Sequence, residues 1–468
     1  MKYYTLAPNY ALRGWSDLKY ALLDLECKTA HNRVFNLTEE QLKGIELLTM
    51  GTLSPDENIV PRFLKKLVKT GIEKGYVVEC EKGKTLEEYQ KYHYTTAKYT
   101  HTLLWSVTGN CNLNCKHCYI YSGENKYGEL SLEKCDEILE QCLQANVNMV
   151  ALTGGEPLVR KDFWELVDHI LEKHIQILQI FTNGVMVDEE FMEELEKRKI
   201  NPNYIMLSFD GVSCHDWLRG VDGAEEAAIQ AIKLVKSHGI RVTVSMSLHM
   251  GNIDSLMKTY ELMKQLDVDF WKAVPIVEAG NWKNQKDNNI DYSQVYDKYL
   301  ELIRQYKKDG FPMDLGLGGF FQGKKGKTGE YKTPFSGGCG TCEREMESLC
   351  EPTRVFPYLL PNGKVLPCIA MSGSAMEEIA PCIFDEGMSL EKAFSQSEVE
   401  EYTKCTYKEL FEKNPECAEC EERLRCGGCR GNALSLGSYF EKDPCACSFF
   451  KGGYEQKIKE IMAEETNG

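Results

Sequence analysis

The stretch that decides the fold is TGNCNLNCKHCYIYSG, residues 108–123, in which three cysteines follow an apolar segment. They are Cys111, Cys115 and Cys118, at spacing C-x3-C-x2-C. A closed structural metal site takes four protein ligands, whereas three ligands leave one position open for another molecule. The spacing therefore predicts a metal site with chemistry at the open position, and disfavours a purely structural iron–sulfur or zinc site.

Segments with strand patterns alternate with segments with helix patterns, and the cysteine loop follows the first of these strands. The apolar segment TLLWSVTG leads into the cysteines, and five further pairs follow, the last strand being FWKAVPI at residues 270–276. Six β/α units in this order predict parallel strands with right-handed crossovers, which favours a barrel or partial barrel. In such barrels the active site lies at the carboxyl ends of the strands.

Small, polar or ligating residues come at these predicted strand ends. At the ends of the second to fifth predicted strands, these residues are Gly154, Gly155, Glu156, Pro157, Thr182, Asn183, Ser208, Asp210, Ser245 and Ser247. Glycine lets the backbone approach a ligand closely, and Glu156 can accept from an ammonium group. Asn183, Ser208 and Asp210 can hydrogen-bond a ribose or a carboxylate, and Arg219 is the expected charge partner of that carboxylate.

The motifs CNLNCKHC, GGEP, TNG and SFDG resemble those of the radical S-adenosylmethionine (SAM) superfamily, over about residues 102–280. The resemblance implies a [4Fe–4S] cluster on the three cysteines, with SAM on the open iron and Tyr119 among the SAM contacts. It also implies reductive cleavage of SAM to methionine and a 5′-deoxyadenosyl radical, which takes a hydrogen atom from a substrate. One departure is His117, where the family often has an aromatic residue.

The chain has 20 cysteines, a high number for a cytosolic protein, where clustered cysteines favour metal binding over disulfides. Beyond the first three, the candidate ligands are Cys339, Cys342, Cys350, Cys368, Cys417, Cys420, Cys426, Cys429, Cys445 and Cys447. Their C-x2-C pairs alone also fit one or two zinc sites. The longer pattern resembles the SPASM extension of radical SAM enzymes, which implies two auxiliary [4Fe–4S] clusters.

The resemblance also implies how these cysteines divide. One cluster takes Cys350, Cys368, Cys429 and an upstream cysteine, for which Cys339 and Cys342 stay open. The other takes Cys417, Cys420, Cys426 and a closing cysteine, for which Cys447 is preferred to Cys445. The pair Cys426–Cys429 is separated by two residues, where the family pattern has three.

The first 95 residues predict a small winged-helix-like unit with strands around two helices. Thr38 predicts the start of the first helix, and the second carries Arg62, Lys65, Lys66, Lys69 and Lys74. These cations are consistent with a solvated helix face, with a docking surface for an acidic peptide added as an edge strand, or with DNA binding. Residues 81–101 are predicted to be a linker.

The predicted fold is α/β: a partial (β/α)6 radical SAM barrel with an N-terminal winged-helix-like domain and a C-terminal Cys-rich SPASM domain. Five segments are expected: 1–95 for peptide recognition, 96–310 for the barrel, 311–334 as linker or loop, 335–450 for the SPASM domain, and 451–468 as a C-terminal helix or tail.

Charge and hydropathy argue against two classes of protein, nucleic-acid-binding proteins and membrane-spanning proteins. The net charge is −16, and residues 331–468 carry 15 basic against 24 acidic residues, which argues against nucleic-acid binding. No run of 18 apolar residues predicts a membrane span, and the N-terminus lacks a signal-peptide pattern, so we expect a cytoplasmic protein.

The combination of modules resembles the maturases of ribosomally made, post-translationally modified peptides. This implies leader binding by residues 1–95, modification of the core peptide by thioether formation, carbon–carbon crosslinking or epimerisation, and an electron donor such as flavodoxin or ferredoxin. One alternative is an anaerobic sulfatase-maturing enzyme, whose family has an Asp base where this chain has Ile369. Another is an iron–sulfur redox-responsive regulator.

Overall fold

The computed structural model describes residues 1–26, 34–50, 54, 61–100, 102–121, 124–200, 202–285, 289–327, 329–333, 342–350 and 356–464. Within these described ranges, the N-terminal unit has six strands and two helices. The strands are β1 (Tyr3–Leu6), β2 (Tyr10–Gly14), β3 (Ala21–Asp24), β4 (Val34–Asn36), β5 (Val77–Cys80) and β6 (His93–Tyr94). The helices are α1 (Glu39–Leu48) and α2 (Arg62–Glu73).

These strands form two sheets. Strand β1 pairs antiparallel with β5, and the other four lie in the order β4-β3-β2-β6, which places β4 at an edge. Helix α1 begins where predicted, because Thr38 accepts from Gln41 N in a capping box. The predicted linker 81–101 is instead packed onto this unit: β6 pairs with β2, and the Arg13 guanidinium donates to the carbonyls of Tyr89 and Lys91.

The centre of the molecule is an eleven-stranded sheet. Seven parallel strands follow one another in chain order: β7 (Leu103–Ser106), β8 (Met149–Thr153), β9 (Gln176–Thr182), β10 (Tyr204–Ser208), β11 (Val242–Leu248), β12 (Phe270–Pro275) and β13 (Asp314–Leu317). The predicted α/β barrel sheet is thereby confirmed, with one parallel strand more than the six predicted.

Amphipathic helices cover the outer face of these strands. They are α3 (Leu132–Gln144), α4 (Phe163–Glu172), α5 (Glu189–Lys197), α7 (Ala224–Ser237), α8 (Leu256–Gln265) and α9 (Tyr292–Lys308). The short helix α6 (His215–Arg219) instead lies against the cysteine loop, since Lys116 N donates to Leu218 O. In α4, for example, Phe163, Leu166, Val167 and Ile170 recur at helical spacing and are buried. Because the strands are parallel, the loops that follow them lie together at the carboxyl end of the sheet.

The prediction of a linker or loop at residues 311–334 is wrong. This segment supplies β13, β14 (Phe321–Gly323) and β15 (Tyr331–Lys332), which extend the sheet beyond β12. Buried Leu315, Leu317, Phe320 and Phe321 anchor it. Its glycines and lysines hid this apolar pattern, because glycine contributes no side chain to a period-two signal.

The cysteine-rich region adds β16 (Tyr358–Leu359) and β17 (Val365–Leu366) to the other edge of the same sheet. Strand β16 pairs in parallel with β7, so it lies beside the strand that leads into the first cysteine loop. The region also has helices α10 (Leu390–Ala393), α11 (Glu398–Lys404), α12 (Tyr407–Lys413), α13 (Pro415–Ala418), α14 (Arg430–Ser435) and α15 (Pro444–Lys451).

The segment predicted as a C-terminal helix or tail begins as helix α16 (Tyr454–Ala463), which packs on α9. The Lys307 amine of α9 donates to the carbonyls of Ile461, Met462 and Glu464 at the end of this helix. Across the described residues, no helix is both long and apolar enough to cross a membrane.

Candidate functional site

The loop that carries Cys111, Cys115 and Cys118 is held by backbone contacts from the neighbouring strand ends. Gly155 N donates to Thr108 O, and Glu156 N donates to Asn110 O, at 2.9 Å each. A Cβ on Gly155 would lie 2.1 Å from Asn110 O, so this approach requires glycine. The GGEP motif therefore fixes the start of the cysteine loop.

Hydrogen-bond donors surround the sulfurs of this loop. Leu113 N donates to Cys111 Sγ at 3.4 Å, and the Asn183 amide lies 3.9 Å from the same sulfur. Arg219 Nη1 donates to Cys115 Sγ at 3.7 Å. Burial raises the pKa of the Cys111 thiol to about 11, so a free thiol there would be unreactive. Donors aimed at sulfur instead suit metal-bound thiolates.

Glu156 is fully buried and joins the second strand end to the third. Its carboxylate accepts from Thr182 Oγ1 at 2.9 Å and from Asn183 N at 2.7 Å. Burial raises the pKa of Glu156 to about 7. The structure thus brings the predicted GGEP and TNG residues together, while contact of Glu156 with a ligand ammonium stays a prediction.

Asp210 and Arg219 form a buried ion pair, with Arg219 Nε 2.7 Å from Asp210 Oδ2. Ser247 N donates to the other carboxylate oxygen at 2.8 Å. Burial alone would raise the pKa of Asp210, but the Arg219 guanidinium, the hydrogen bond of His215 and the nearby charge of His117 together lower that pKa well below its usual range. The sequence indicated Arg219 as the partner of a ligand carboxylate, whereas the structure gives it an internal partner. Contact with a ligand stays a prediction.

The remaining predicted residues lie around the same end of the barrel. Ser208 and Ser245 are paired in register on adjacent strands. Tyr119 is partly buried next to Tyr358 of β16, and loss of solvent around the Tyr119 phenol raises its pKa well above the usual value. Pro157 begins a short 3₁₀ turn that Glu156 caps. All the predicted strand-end residues are therefore close to the cysteine loop or to the strands beside it.

Sequence reasoning missed several residues of the site. A Cβ on Gly280 would lie 2.2 Å from Cys118 O, and Asn281 N donates to that carbonyl at 2.9 Å, so the loop after β12 closes over the cysteines. Asn252 Nδ2 donates to Asp210 O and to Ser247 O. His249 is buried, 5.4 Å from the Trp217 ring. Its position directly after the fifth strand was the available signal.

One group of C-terminal cysteines lines a cavity of about 150 Å³: Cys350, Cys368 and Cys429. Ala370 N lies 3.5 Å from Cys368 Sγ and donates to it. Burial raises the pKa of the Cys368 thiol to about 12, and the neighbouring charges of Cys429 and Cys350 add to this effect. Cys339 lies outside the described residues, as does the side chain of Cys342.

A second group comprises Cys417, Cys420, Cys426 and Cys447. Burial raises the pKa of the Cys417 thiol, and the nearby charge of Cys447 raises it further. The two thiols therefore lie close together. The sulfur of Cys445 has different surroundings from that of Cys447. Its sulfur is buried 2.9 Å from the Tyr296 hydroxyl, and a Cβ on Gly319 would lie 2.3 Å from it.

Within the described part of the chain, no three His, Cys, Asp or Glu side chains converge tightly enough to hold a single metal ion. Iron–sulfur clusters do not require such convergence, because each thiolate binds a different iron atom. The result for single ions therefore leaves clusters at the three cysteine groups as a prediction.

The Asp210–Arg219 pair predicts strong energetic coupling. We expect Arg219→Met to lower the free energy of unfolding by about 3–5 kcal/mol, because it leaves the Asp210 carboxylate buried without a counter-charge. Arg219→Met combined with Asp210→Asn should cost less than the sum of the single changes. Urea unfolding of the iron-free protein, followed by circular dichroism, measures both.

The matched control is the Arg198–Asp168 pair, which is partly exposed on the outer helices. We expect Arg198→Met to cost about 1 kcal/mol or less, because water screens that pair. Additive effects at Asp210 and Arg219 would contradict the role assigned to their contact.

Comparison with known proteins agrees with this geometry. Residues 105–263 match the model of the radical SAM superfamily. The AdoMet-dependent heme synthase of Methanosarcina barkeri is 24% identical over 370 residues, which cover 73% of this chain and 95% of the synthase. The PqqA peptide cyclase of Gluconobacter oxydans is 25% identical over 377 residues, which cover 78% of this chain and 96% of the cyclase.

The structure also resembles Streptococcus suis SuiB bound to its precursor peptide SuiA. The TM-score is 0.61 at 16% sequence identity, and the match covers 96% of this chain and 100% of SuiB. At this identity the likeness establishes the fold, including the regions on both sides of the barrel.

Proposed function

Because residues 105–263 form a radical SAM domain, we propose that the protein cleaves SAM reductively and modifies a ribosomally made precursor peptide. The modification is a thioether, a carbon–carbon crosslink or an epimerisation. The observation that carries the peptide assignment is a groove beside an edge strand of the N-terminal unit, in a chain whose fold matches SuiB almost end to end.

The first cysteine loop is the proposed site of SAM cleavage, with Cys111, Cys115 and Cys118 as ligands of a [4Fe–4S] cluster. A cluster held by these three thiolates would supply the one-electron reduction of SAM that makes hydrogen abstraction from the peptide possible. Asn183, Arg219 and the loop backbone orient the thiolates by donating to sulfur. A one-electron donor such as flavodoxin or ferredoxin is the proposed partner, in the cytoplasm, where thiols stay reduced.

We expect anaerobically reconstituted protein to release 5′-deoxyadenosine from SAM with a chemical reductant, and to modify a short precursor peptide sought among the open reading frames beside its gene. A mass loss equal to two hydrogen atoms would identify a crosslink. Deuterium uptake from heavy water without other change would identify epimerisation. Mass spectrometry of the peptide and chromatography of the nucleoside measure both products.

The matched controls are Cys111→Ala and Cys142→Ala, since Cys142 is a buried helix residue outside the three cysteine groups. Cys111→Ala should abolish 5′-deoxyadenosine, and Cys142→Ala should retain it. Formation of the nucleoside by Cys111→Ala would refute the assigned cluster site. Release of the nucleoside with an untouched peptide would refute the choice of substrate.

The leader groove lies between β4 and α2 and has a volume of about 870 Å³. Apolar side chains line its floor, among them Phe35, Phe63, Leu67 and Tyr76. Strand β4 is the edge of its sheet, so its outer backbone groups can pair with an added strand. A peptide bound there would gain main-chain hydrogen bonds from β4 and apolar contacts from α2.

The cations of α2 and of its C-cap divide into two sets around this groove. Lys66 and the C-cap residue Lys74 line the groove, whereas Arg62, Lys65 and Lys69 do not. Glu40 lies on the opposite wall, so the positive charge is confined to the helix side. This arrangement favours a leader with acidic residues on the edge that faces α2.

Charge reversal in the groove tests this assignment. We expect Lys66→Glu/Lys74→Glu to weaken binding of the fluorescently labelled neighbouring peptide by about tenfold or more, because two attractive contacts become repulsive. Fluorescence anisotropy at low salt measures the Kd. Lys65→Glu/Lys69→Glu reverses the same number of charges on the same helix and should leave the Kd nearly unchanged. Equal losses in the two variants would mean that only the net charge matters.

The C-terminal region is the proposed site of two auxiliary [4Fe–4S] clusters. One is assigned to Cys350, Cys368, Cys429 and either Cys339 or Cys342. The other is assigned to Cys417, Cys420, Cys426 and Cys447. The burial of Cys445 against Tyr296 supports the choice of Cys447 as the closing ligand. Backbone N–H groups around the CGGC turn donate to the sulfurs of Cys426 and Cys429, as suits thiolate ligands.

The two closing cysteines give a matched pair for this assignment. We expect Cys447→Ala to lower bound iron by about four atoms per chain, the content of one [4Fe–4S] cluster. Cys445→Ala should retain the iron, because that thiol is enclosed by barrel residues. Iron assay and the cluster absorption band after reconstitution measure the effect, and the reverse result would exchange the two assignments.

The two other candidate functions are less favoured. In place of the Asp base of the sulfatase-maturing enzymes stands Ile369, a partly buried apolar residue packed in the C-terminal core. A redox-responsive regulator needs no SAM site in a barrel. In the same sequence comparison the PqqA peptide cyclase covers 78% of this chain and the heme synthase of M. barkeri covers 73%, so the peptide-modifying relative accounts for at least as much of the molecule.

A further inference from the structure

The face of the central sheet that looks into the barrel is hollow. On β12, Trp271 and Ala273 are buried against the outer helices, so Lys272 and Val274 point to the opposite side. Val274 is 40% exposed although β12 lies between two other strands. A central strand can expose such a side chain only when the space in front of it is open.

Strand register places one lysine in this lumen beside the predicted ligand-binding serines. Ser208 pairs with Ser245, and Ser245 pairs with Lys272, so the three side chains form a row across β10, β11 and β12. The next position in the row is Gly316 of β13, which adds no side chain to the lumen. Lys272 therefore stands at the end of a polar row and is partly exposed to the open space.

No counter-charge accompanies this amine. Among the described residues, Lys272 has neither a hydrogen-bond nor an ion-pair partner. The carboxylates closest along the strands already have cations, since Asp210 pairs with Arg219 and Asp314 pairs with Lys324. Burial lowers the pKa of Lys272 to about 8, and no nearby carboxylate offsets this effect.

An unpaired, poorly solvated ammonium costs folding free energy, and such groups concentrate at functional sites. A purely structural lysine would extend to bulk water, and full solvation would leave its pKa unshifted. The lumen also holds apolar side chains near the stem of Lys272, since the Phe270 ring and the Lys272 Cβ both lie beside Gly316. This mixture of an apolar wall and one cation suits a side chain that carries a carboxylate.

We propose that Lys272 binds a carboxylate of the substrate inside the barrel, and so selects which residue of the peptide is presented for hydrogen abstraction. The carboxylate belongs either to an Asp or Glu side chain or to the C-terminus of the peptide. This inference rests on the proposed function for the identity of the substrate, but the binding preference is measurable without turnover. Lys272 is a specificity-determining residue in this account and takes no part in SAM cleavage.

Three matched probes test the proposal on the reconstituted full-length protein with SAM bound. N-acetyl-glutamic acid α-amide carries only a side-chain carboxylate, N-acetyl-glutamine carries only a terminal carboxylate, and N-acetyl-glutamine amide is neutral. Ligand-observed NMR gives the Kd of each. We expect at least one anionic probe to bind about tenfold or more tightly than the neutral one. The tighter of the two anionic probes then identifies the source of the carboxylate.

Variants assign the preference to the lysine. Lys272→Met should remove the difference between anionic and neutral probes, Lys272→Gln should do the same, and Lys272→Arg should retain it. Lys233→Met is the matched control, since Lys233 is exposed on α7, and the preference should persist there. Thermal melting and iron content establish that each variant is folded.

Two results would overturn the proposal: equal binding of the three probes by the wild-type protein, or a preference that survives in Lys272→Met. Equal binding of the probes together with a tenfold loss of SAM affinity in Lys272→Met would assign the amine to the carboxylate of SAM instead. Failure of the proposed function is distinguishable, because an unmodified peptide would leave the anion preference intact.

Discussion

The buried contact between Asp210 and Arg219 is the interaction on which the rest of the site depends. Through it the end of the fourth barrel strand reaches the first cysteine loop, since Arg219 also donates to Cys115 Sγ. Ser247 N donates to the same carboxylate, which adds the end of the fifth strand. Two charges can be buried in this way only when their geometry is good and their remaining hydrogen bonds are made. The pair therefore fixes three strand ends at once.

Backbone contacts set the cysteine loop from its other sides. Gly155 brings the second strand end against Asn110, and Gly280 brings the loop after the sixth strand against Cys118 O. Strand β16 lies beside β7, so the cysteine-rich region shares hydrogen bonds with the strand that leads into the loop. Glu391 of that region also accepts from Thr95 and Thr96, which connects it to the chain just before the barrel. The cysteine-rich region is thus joined to the barrel by backbone hydrogen bonds between β16 and β7, and to the chain before the barrel by the hydrogen bonds of Glu391.

The sequence predicted those parts of the fold that local pattern determines. Alternating strands and amphipathic helices gave the barrel, and Thr38 marked a helix start that the structure confirms. It did not predict what depends on distant residues. The strands within 311–334 were hidden by glycines, and the place of β16 beside β7 follows from packing between segments far apart in the chain. For the same reason Arg219 was identified as a site residue but its partner was not. Lys272 was missed altogether, because nothing in FWKAVPI shows which face of the strand looks inward.

In the proposed function, the leader groove and the lumen have separate roles in recognising the peptide. A peptide held by its leader meets the lumen at high effective concentration, so contacts inside the barrel can be weak and still productive. Weak contacts cannot discriminate by apolar area alone, since one methylene changes binding by only about 1–3 kcal/mol. An unpaired amine discriminates differently, because a neutral residue in front of it leaves the charge uncompensated in a poorly solvated space. On this argument affinity comes from the N-terminal groove and the choice of residue comes from Lys272. Under the proposed role of Lys272, rejection of the wrong residue offsets what the unpaired amine costs in folding free energy.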